Sequence, residues 1–136
     1  MNKKTVVVLD AKIFISAVLF KGTPLKILQL CISRNEIDIA ISPELLAELI
    51  GKLKYKFGIK NQTLESLKVE MESIMLYILP EYITQICRDA SDNKIIDLAI
   101  CANAEFIITG GKDLLEIKTY EGIKILTVAE FLEIKF

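Results

Sequence analysis

The chain alternates short β-branched runs with longer stretches of helical apolar spacing. Thr5-Val6-Val7-Val8-Leu9 is apolar on both sides of a strand, and it ends on Asp10. A run of this kind predicts a central parallel strand with Asp10 at its C-terminal edge. Ile13, Phe14, Ala17 and Val18 then follow at helical spacing, and Lys21-Gly22-Thr23-Pro24 stops that helix and starts another over Leu25–Ile32. Ile37–Ile41 reads as a second strand. Ser42-Pro43-Glu44 is a helix start: a hydroxyl at the N-cap, proline at the first position, and an acid on the positive end of the dipole. Leu45, Leu46, Leu49, Ile50 and Leu53 form one apolar face of that helix. Beyond a Gly58–Asn61 loop, an amphipathic pattern through Leu67, Met71, Ile74 and Leu79 predicts a partner helix ended by Pro80, the two forming a hairpin. Asp89-Ala90-Ser91-Asp92 reads as a polar loop capping a helix over 93–103, followed by a strand at 106–109. A last strand over Ile123–Leu126 and a helix from Val128 complete the alternation.

Strand and helix in turn, with no repeat or linker, predict a single α/β domain over 1–136, a central mostly parallel sheet with helices on both faces. The 136 residues, 52% hydrophobic with 3 Pro and 6 Gly, are enough for a packed core without disulfides. A net charge of −1 excludes the strongly basic field of a general nucleic-acid coat, so any nucleic-acid contact has to be local. Cys31, Cys87 and Cys101 show no CxxC spacing and lie in apolar surroundings, as reduced core thiols of a cytoplasmic protein would. Met1-Asn2-Lys3-Lys4 precedes too short an apolar run for a signal peptide, and no later run is long enough for a membrane span. With no histidine, His-based zinc sites, Ser-His-Asp triads and imidazole bases are excluded.

What remains is acidic. Asp10 and Asp113 both arrive just after strands, at what should be one edge of the sheet, which suggests metal-assisted chemistry on phosphate. Each acid also has a plainer reading. Asp10, Asp92 and Asp113 stand where helix caps stand, Glu48 lies one turn beyond Glu44 on an ordinary helix face, and Asp97 lies inside a helix among Ile95, Ile96, Leu98 and Ala99. Gly110-Gly111-Lys112 lacks the remaining residues of a P-loop, and no GxGxxG follows Leu9. Haloacid-dehalogenase-type phosphatases need a second Asp where Lys12 stands, and receiver domains need adjacent acids where Leu9-Asp10 offers one. Lys52, Lys54 and Lys56 alternate with Tyr55 and Phe57, a pattern that suits either RNA stacking with phosphate contact or a solvated helix end.

The chain resembles the PIN-domain family, in particular small toxin-like members similar to VapC toxins. The resemblance rests on Val7-Val8-Leu9-Asp10, Ser42-Pro43-Glu44-Leu45-Leu46-Ala47-Glu48-Leu49, Cys87-Arg88-Asp89 before an acidic loop, Ile108-Thr109-Gly110 before Lys112-Asp113-Leu114-Leu115, and Ile125-Leu126-Thr127 before Glu130-Phe131-Leu132. It implies a metal-dependent single-strand RNA endonuclease in which about four carboxylates hold Mg²⁺ or Mn²⁺ and a metal-oriented water attacks the phosphodiester. Asp10 and Glu48 match the family's first two acids, and Asp113 its outer last one; Asp92 and Asp97 lie beside the third position. Three site positions are altered: Lys12 stands in the Thr-Asn that follows the first acid, Asn93 at the third acid, and Gly111 at the inner last acid. Two lost carboxylates and one gained ammonium move the local charge by about +3, which a hard divalent ion does not favour.

Two expectations follow. One is a toxin-type endoribonuclease with a weakened acidic site, partnered by an antitoxin protein laid beside the hairpin helices and forming a homodimer through their apolar stripes. The other is an inactive module that keeps the fold to bind RNA, an antitoxin or its own copy, with no ion bound. One expectation for Lys12 is that its ammonium pairs with Asp10 or Glu48 in place of a metal, its plainer reading being an exposed side chain in water; the competing expectation is that Asp92, Asp97 and Asp113 complete a shifted metal site with catalytic roles.

Overall fold

The structure, a computed structural model, describes residues 4–19 and 37–134. The expected Lys21–Pro24 break, the Leu25–Ile32 helix and Cys31 lie outside the described residues. In chain order the elements are β1 (Thr5–Leu9), α1 (Ala11–Leu19), β2 (Ile37–Ile41), α2 (Pro43–Tyr55), α3 (Asn61–Ile74), β3 (Leu76–Tyr77), α4 (Ala90–Cys101), β4 (Phe106–Ile108), α5 (Lys112–Ile117), β5 (Thr119–Tyr120), β6 (Ile123–Leu126) and α6 (Val128–Leu132).

Six strands form one sheet in the order β3-β2-β1-β4-β6-β5. All neighbours are parallel except β5, which runs antiparallel to β6. In register, Val7 pairs with Ile39 on one side and Phe106 on the other, and Leu9 pairs with Ile108. Val7, Val8 and Leu9 are wholly buried, so both faces of β1 are covered, the environment that its unbroken apolar run predicts. From β1 the chain steps outward to β2 and β3, then returns to β4 on the other flank of β1. Because parallel crossovers are right-handed, that reversal puts α4 on the face opposite the earlier helices, and α4 packs across β1, β2 and β4. It also opens a crevice at the C-terminal ends of β1 and β4, where ligands bind in open α/β sheets.

Local signals account for most boundaries. Ser42 Oγ accepts the Leu45 N–H at 3.1 Å, with Pro43 in the first turn of α2. Leu45, Leu46, Leu49 and Leu53 are its buried residues. Gly58, at φ 66°, makes the tight exit from α2, and α3 packs back on α2 as the expected hairpin. Thr127 and Glu130 close a capping box on α6, which sets the Phe131 ring edge-on to Phe106 with centroids 5.6 Å apart.

Some boundaries differ from the periodicity. Helix α3 ends at Ile74 rather than running through Leu79 to Pro80. Met75 turns extended, Leu76-Tyr77 pairs with Ala40-Ile41, and the Ile78 N–H donates to the Ile41 carbonyl at 2.9 Å. The open edge of β2 needed hydrogen-bond partners, and a helix cannot supply them. Helix α4 begins at Ala90 with Asp89 as its cap, so Ser91 and Asp92 belong to its first turn rather than to a loop. The edge strand β5 gave no pattern of its own; the turn into β6 uses positive φ at Glu121 and Gly122. The two described cysteines are free but lie outside the core, Cys87 half-buried and Cys101 exposed. No described helix is long and apolar enough to cross a membrane.

Candidate functional site

Asp10 leaves β1 at its carboxyl end, and its main-chain N–H still pairs with the Ile108 carbonyl at 3.2 Å. Its side chain does two jobs. Oδ1 caps α1 by accepting the Ile13 N–H at 3.0 Å, and Oδ2 accepts the hydroxyl of buried Thr109, just beyond β4. Thr109 Oγ1 in turn accepts the Gly111 N–H at 3.0 Å. The capping role and a place at the strand-end crevice are therefore both true of Asp10.

That crevice is a cleft of about 340 Å³ lined by Asp10, Lys12, Glu48, Lys52, Asp89 and Asp92, and also by Gly111, Lys112 and Asp113. Asp10, Glu48, Asp92 and Asp113 thus share one wall system although they come from four elements. Helix α2 brings Glu48 in half-buried, paired at 3.5 Å with Lys52 one turn on. Gly111, at φ −79°, is the cap residue of α5 and places Asp113 in its first turn, where Arg88 Nη2 reaches Asp113 Oδ1 at 2.8 Å.

Electrostatic coupling across the cleft is visible in Asp92. Burial, then the carboxylates of Asp89, Asp113 and Asp10, push its carboxyl above the ordinary value, and Lys12 pulls it partly back. Asp89 moves the other way: the Ser91 hydroxyl and N–H hold it low, with Lys52 and Lys12 adding attraction. The Cys87 thiol is pushed up by burial and by Asp92, Asp113 and Asp89.

Lys12 forms no ion pair with Asp10 or Glu48. The ion pair at Glu48 is made instead by Lys52, while Lys12 acts at longer range on Asp89 and Asp92. Two further residues stand off the cleft lining. Asp97, only 2% exposed, accepts the Thr84 N–H with both oxygens at 3.1 and 3.2 Å and the Thr84 hydroxyl at 2.5 Å, anchoring the segment between β3 and α4. Asn93 clamps Cys87: Oδ1 accepts the Cys87 N–H at 2.8 Å and Nδ2 donates to the Cys87 carbonyl at 3.3 Å. Lys54 and Lys56 stack over Tyr55 and Phe57, with Tyr55 82% exposed.

Among the described residues no three carboxylate or thiol groups come together as a metal-binding cluster. The donor chemistry suits a hard cation, but Asp10 has both oxygens in hydrogen bonds, and Glu48 and Asp113 each already hold a side-chain cation with one oxygen. As arranged, this set does not fit a resident divalent ion. Sequence reasoning did not single out Asp89, Thr109 or Arg88 for the site. All three lie in blocks that carry the resemblance, Cys87-Arg88-Asp89 and Ile108-Thr109-Gly110, but none was assigned a role in the site.

A PIN-domain family model matches residues 6–113. An uncharacterized protein of Methanocaldococcus jannaschii is 34% identical over 144 aligned positions, which span 96% of this chain and 91% of that protein. Among solved structures, VapBC2 from Rickettsia felis, bound to a DNA fragment from their promoter, superposes with a TM-score of 0.61 over 90% of this chain and 98% of the matched one. The sequence identity there is 20%, a likeness of fold.

Proposed function

This chain belongs to the PIN-domain family, and from that premise we propose that it is the toxin-like member of a toxin–antitoxin pair, whose strand-end cleft engages single-stranded RNA while its metal-dependent hydrolysis is weak. The observation that carries this reading is the cleft's mixture of charges. Asp10, Glu48, Asp89, Asp92 and Asp113 face Lys12, Lys52, Lys112 and, through Asp113, Arg88. A nearly balanced cleft holds Mg²⁺ or Mn²⁺ loosely, because a hard ion needs several free carboxylate oxygens at once. The same balance lowers the repulsion that a phosphodiester would meet among unneutralised acids, and the lining Lys12, Lys52 and Lys112 support phosphate contact.

An antitoxin protein is the partner this reading requires. Support comes from the exposed Tyr77, Leu79, Ile83 and Ile86 along and after the edge strand β3, apolar surface that a partner would bury. A second copy of the chain competes for the same role.

The second reading, a PIN-fold module that binds RNA, antitoxin or itself without cleaving, is favoured by one specific observation: each family-matching acid already has a protein partner. A single experiment separates the two. Labelled single-stranded RNA is incubated with the protein and excess Mn²⁺ or Mg²⁺, and cleavage and retention are both measured. Slow cleavage abolished by Asp10→Asn supports the first reading, and retention with no metal-dependent cleavage supports the second. The absence of both cleavage and retention refutes an RNA role.

A further inference from the structure

A second pocket of about 220 Å³ adjoins the acidic cleft and shares Glu48, Ser91 and Ile95 with it. Its floor is apolar, from Leu45, Ile95 and Leu98, all buried, with buried Ser42 beside them, and its rim is polar, from exposed Glu44 and Lys94. An apolar floor with a few fixed polar groups at the edge suits a flat heteroaromatic ring. Tyr82 stands between two rim residues: its hydroxyl donates to Glu44 Oε2, and the Lys94 ammonium sits 5.8 Å from its ring centroid. Thr84, two residues further, is fixed by Asp97. Tyr82, itself outside the pocket lining, is thus held beside two of its rim residues by contacts at both ends of a short segment.

Resting on the RNA reading above, we infer that this pocket is a base subsite, taking a guanine of single-stranded RNA whose phosphate faces the adjoining cleft. Single-stranded RNA is read by splayed bases that stack on aromatic side chains and bond along their Watson–Crick edges. Glu44 is an acceptor-only carboxylate with capacity beyond the Tyr82 hydroxyl, and Lys94 is donor-only. Guanine presents two adjacent N–H donors and one carbonyl acceptor on that edge, the complement of a carboxylate beside an ammonium. Adenine, cytosine and uracil each offer the carboxylate fewer donors. The pocket and the cleft adjoin across the shared Glu48, Ser91 and Ile95, so a base in one and a phosphate in the other belong to neighbouring parts of one strand.

The test uses the full chain and four fluorescently labelled uridine-rich hexanucleotides carrying a central G, A, C or U, titrated by anisotropy. The G-containing strand is expected to bind about 10-fold tighter than the other three, the discrimination of one good bidentate pair. In Glu44→Gln, an exposed position where folding is checked by circular dichroism, that advantage is expected to fall to about 2-fold or less while all four strands still bind. Equal affinity for the four strands, or a G preference untouched in Glu44→Gln, overturns the subsite and leaves RNA binding standing. Failure of every strand to bind the wild-type protein overturns the RNA reading itself.

Discussion

The Thr109 hydroxyl donates to Asp10 Oδ2 and accepts the Gly111 N–H, so one buried side chain ties the carboxyl ends of β1 and β4 together across the crevice. This bond sets the direction of Asp10 and the start of α5, and with it the position of Asp113. The cleft geometry therefore depends on a residue that itself presents nothing to the cleft.

Thr109→Val keeps the shape and removes the hydroxyl. It leaves the Gly111 N–H without its acceptor and Asp10 with only the Ile13 N–H, and is expected to cost about 1–3 kcal/mol in urea-induced unfolding. A change within a few tenths of a kcal/mol would show that the tie is unimportant.

The three altered family positions are not equivalent. A Cβ at Gly111 would lie 3.4 Å from Thr109 Oγ1 at an ordinary φ of −79°, so Gly111→Asp is accommodated and also supplies a capping carboxylate to α5. Its expected outcome is tighter Mn²⁺ binding in calorimetry. Asn93→Asp keeps the acceptor for the Cys87 N–H but sets an anion against the Cys87 carbonyl. It is expected to lower stability by about 1 kcal/mol or more, with little gain in metal affinity.

Asp92 makes stability depend on pH in a known sense. Its carboxyl is held above the ordinary value, so the folded state binds the proton more readily than the unfolded one. Its favourable contribution is full below its unfolded pKa and is lost as pH rises through the folded one. Asp92→Asn is therefore expected to raise the melting temperature at about pH 7 and to leave it unchanged near pH 3, where both forms are neutral. Asp89, held low, works in the opposite sense: its stabilisation is present above the ordinary carboxylate range and fades as pH falls below it. A melting temperature lowered at neutral pH by Asp92→Asn would contradict the crowding of acids in the cleft.

Asp97→Asn replaces an acceptor-only group facing the Thr84 N–H and hydroxyl by an amide that meets the N–H with one oxygen. The expected loss is about 1–3 kcal/mol, with faster amide hydrogen exchange at Thr84 than elsewhere in the segment between β3 and α4. Uniform exchange along that segment would deny Asp97 its anchoring role.

Much of this was legible in the residues. The β-branched Thr5–Leu9 run marked a strand whose Val7–Leu9 half is buried on both faces, and Ser42-Pro43-Glu44 marked the start of α2, because both signals are local. Leu76-Tyr77 looked helical because α3's apolar spacing continues through it; the competing claim came from the distant open edge of β2. At the cleft, strand-end position made Asp10 and Asp113 readable, whereas Glu48 was marked by the family resemblance alone. The fates of Asn93, Asp97 and Lys12 were hidden, since each depends on a loop or on a rival partner: Cys87, Thr84, and Lys52 on Glu48.

Calorimetric titration of the wild-type protein with Mn²⁺ tests most directly whether the cleft's charges are balanced by its own cations. Binding weaker than about 1 mM, tightening when Lys52 is replaced by Ala and Glu48 is released, is the predicted result. Saturation in the micromolar range, unaffected by Lys52→Ala and lost in Asp10→Asn, would contradict it.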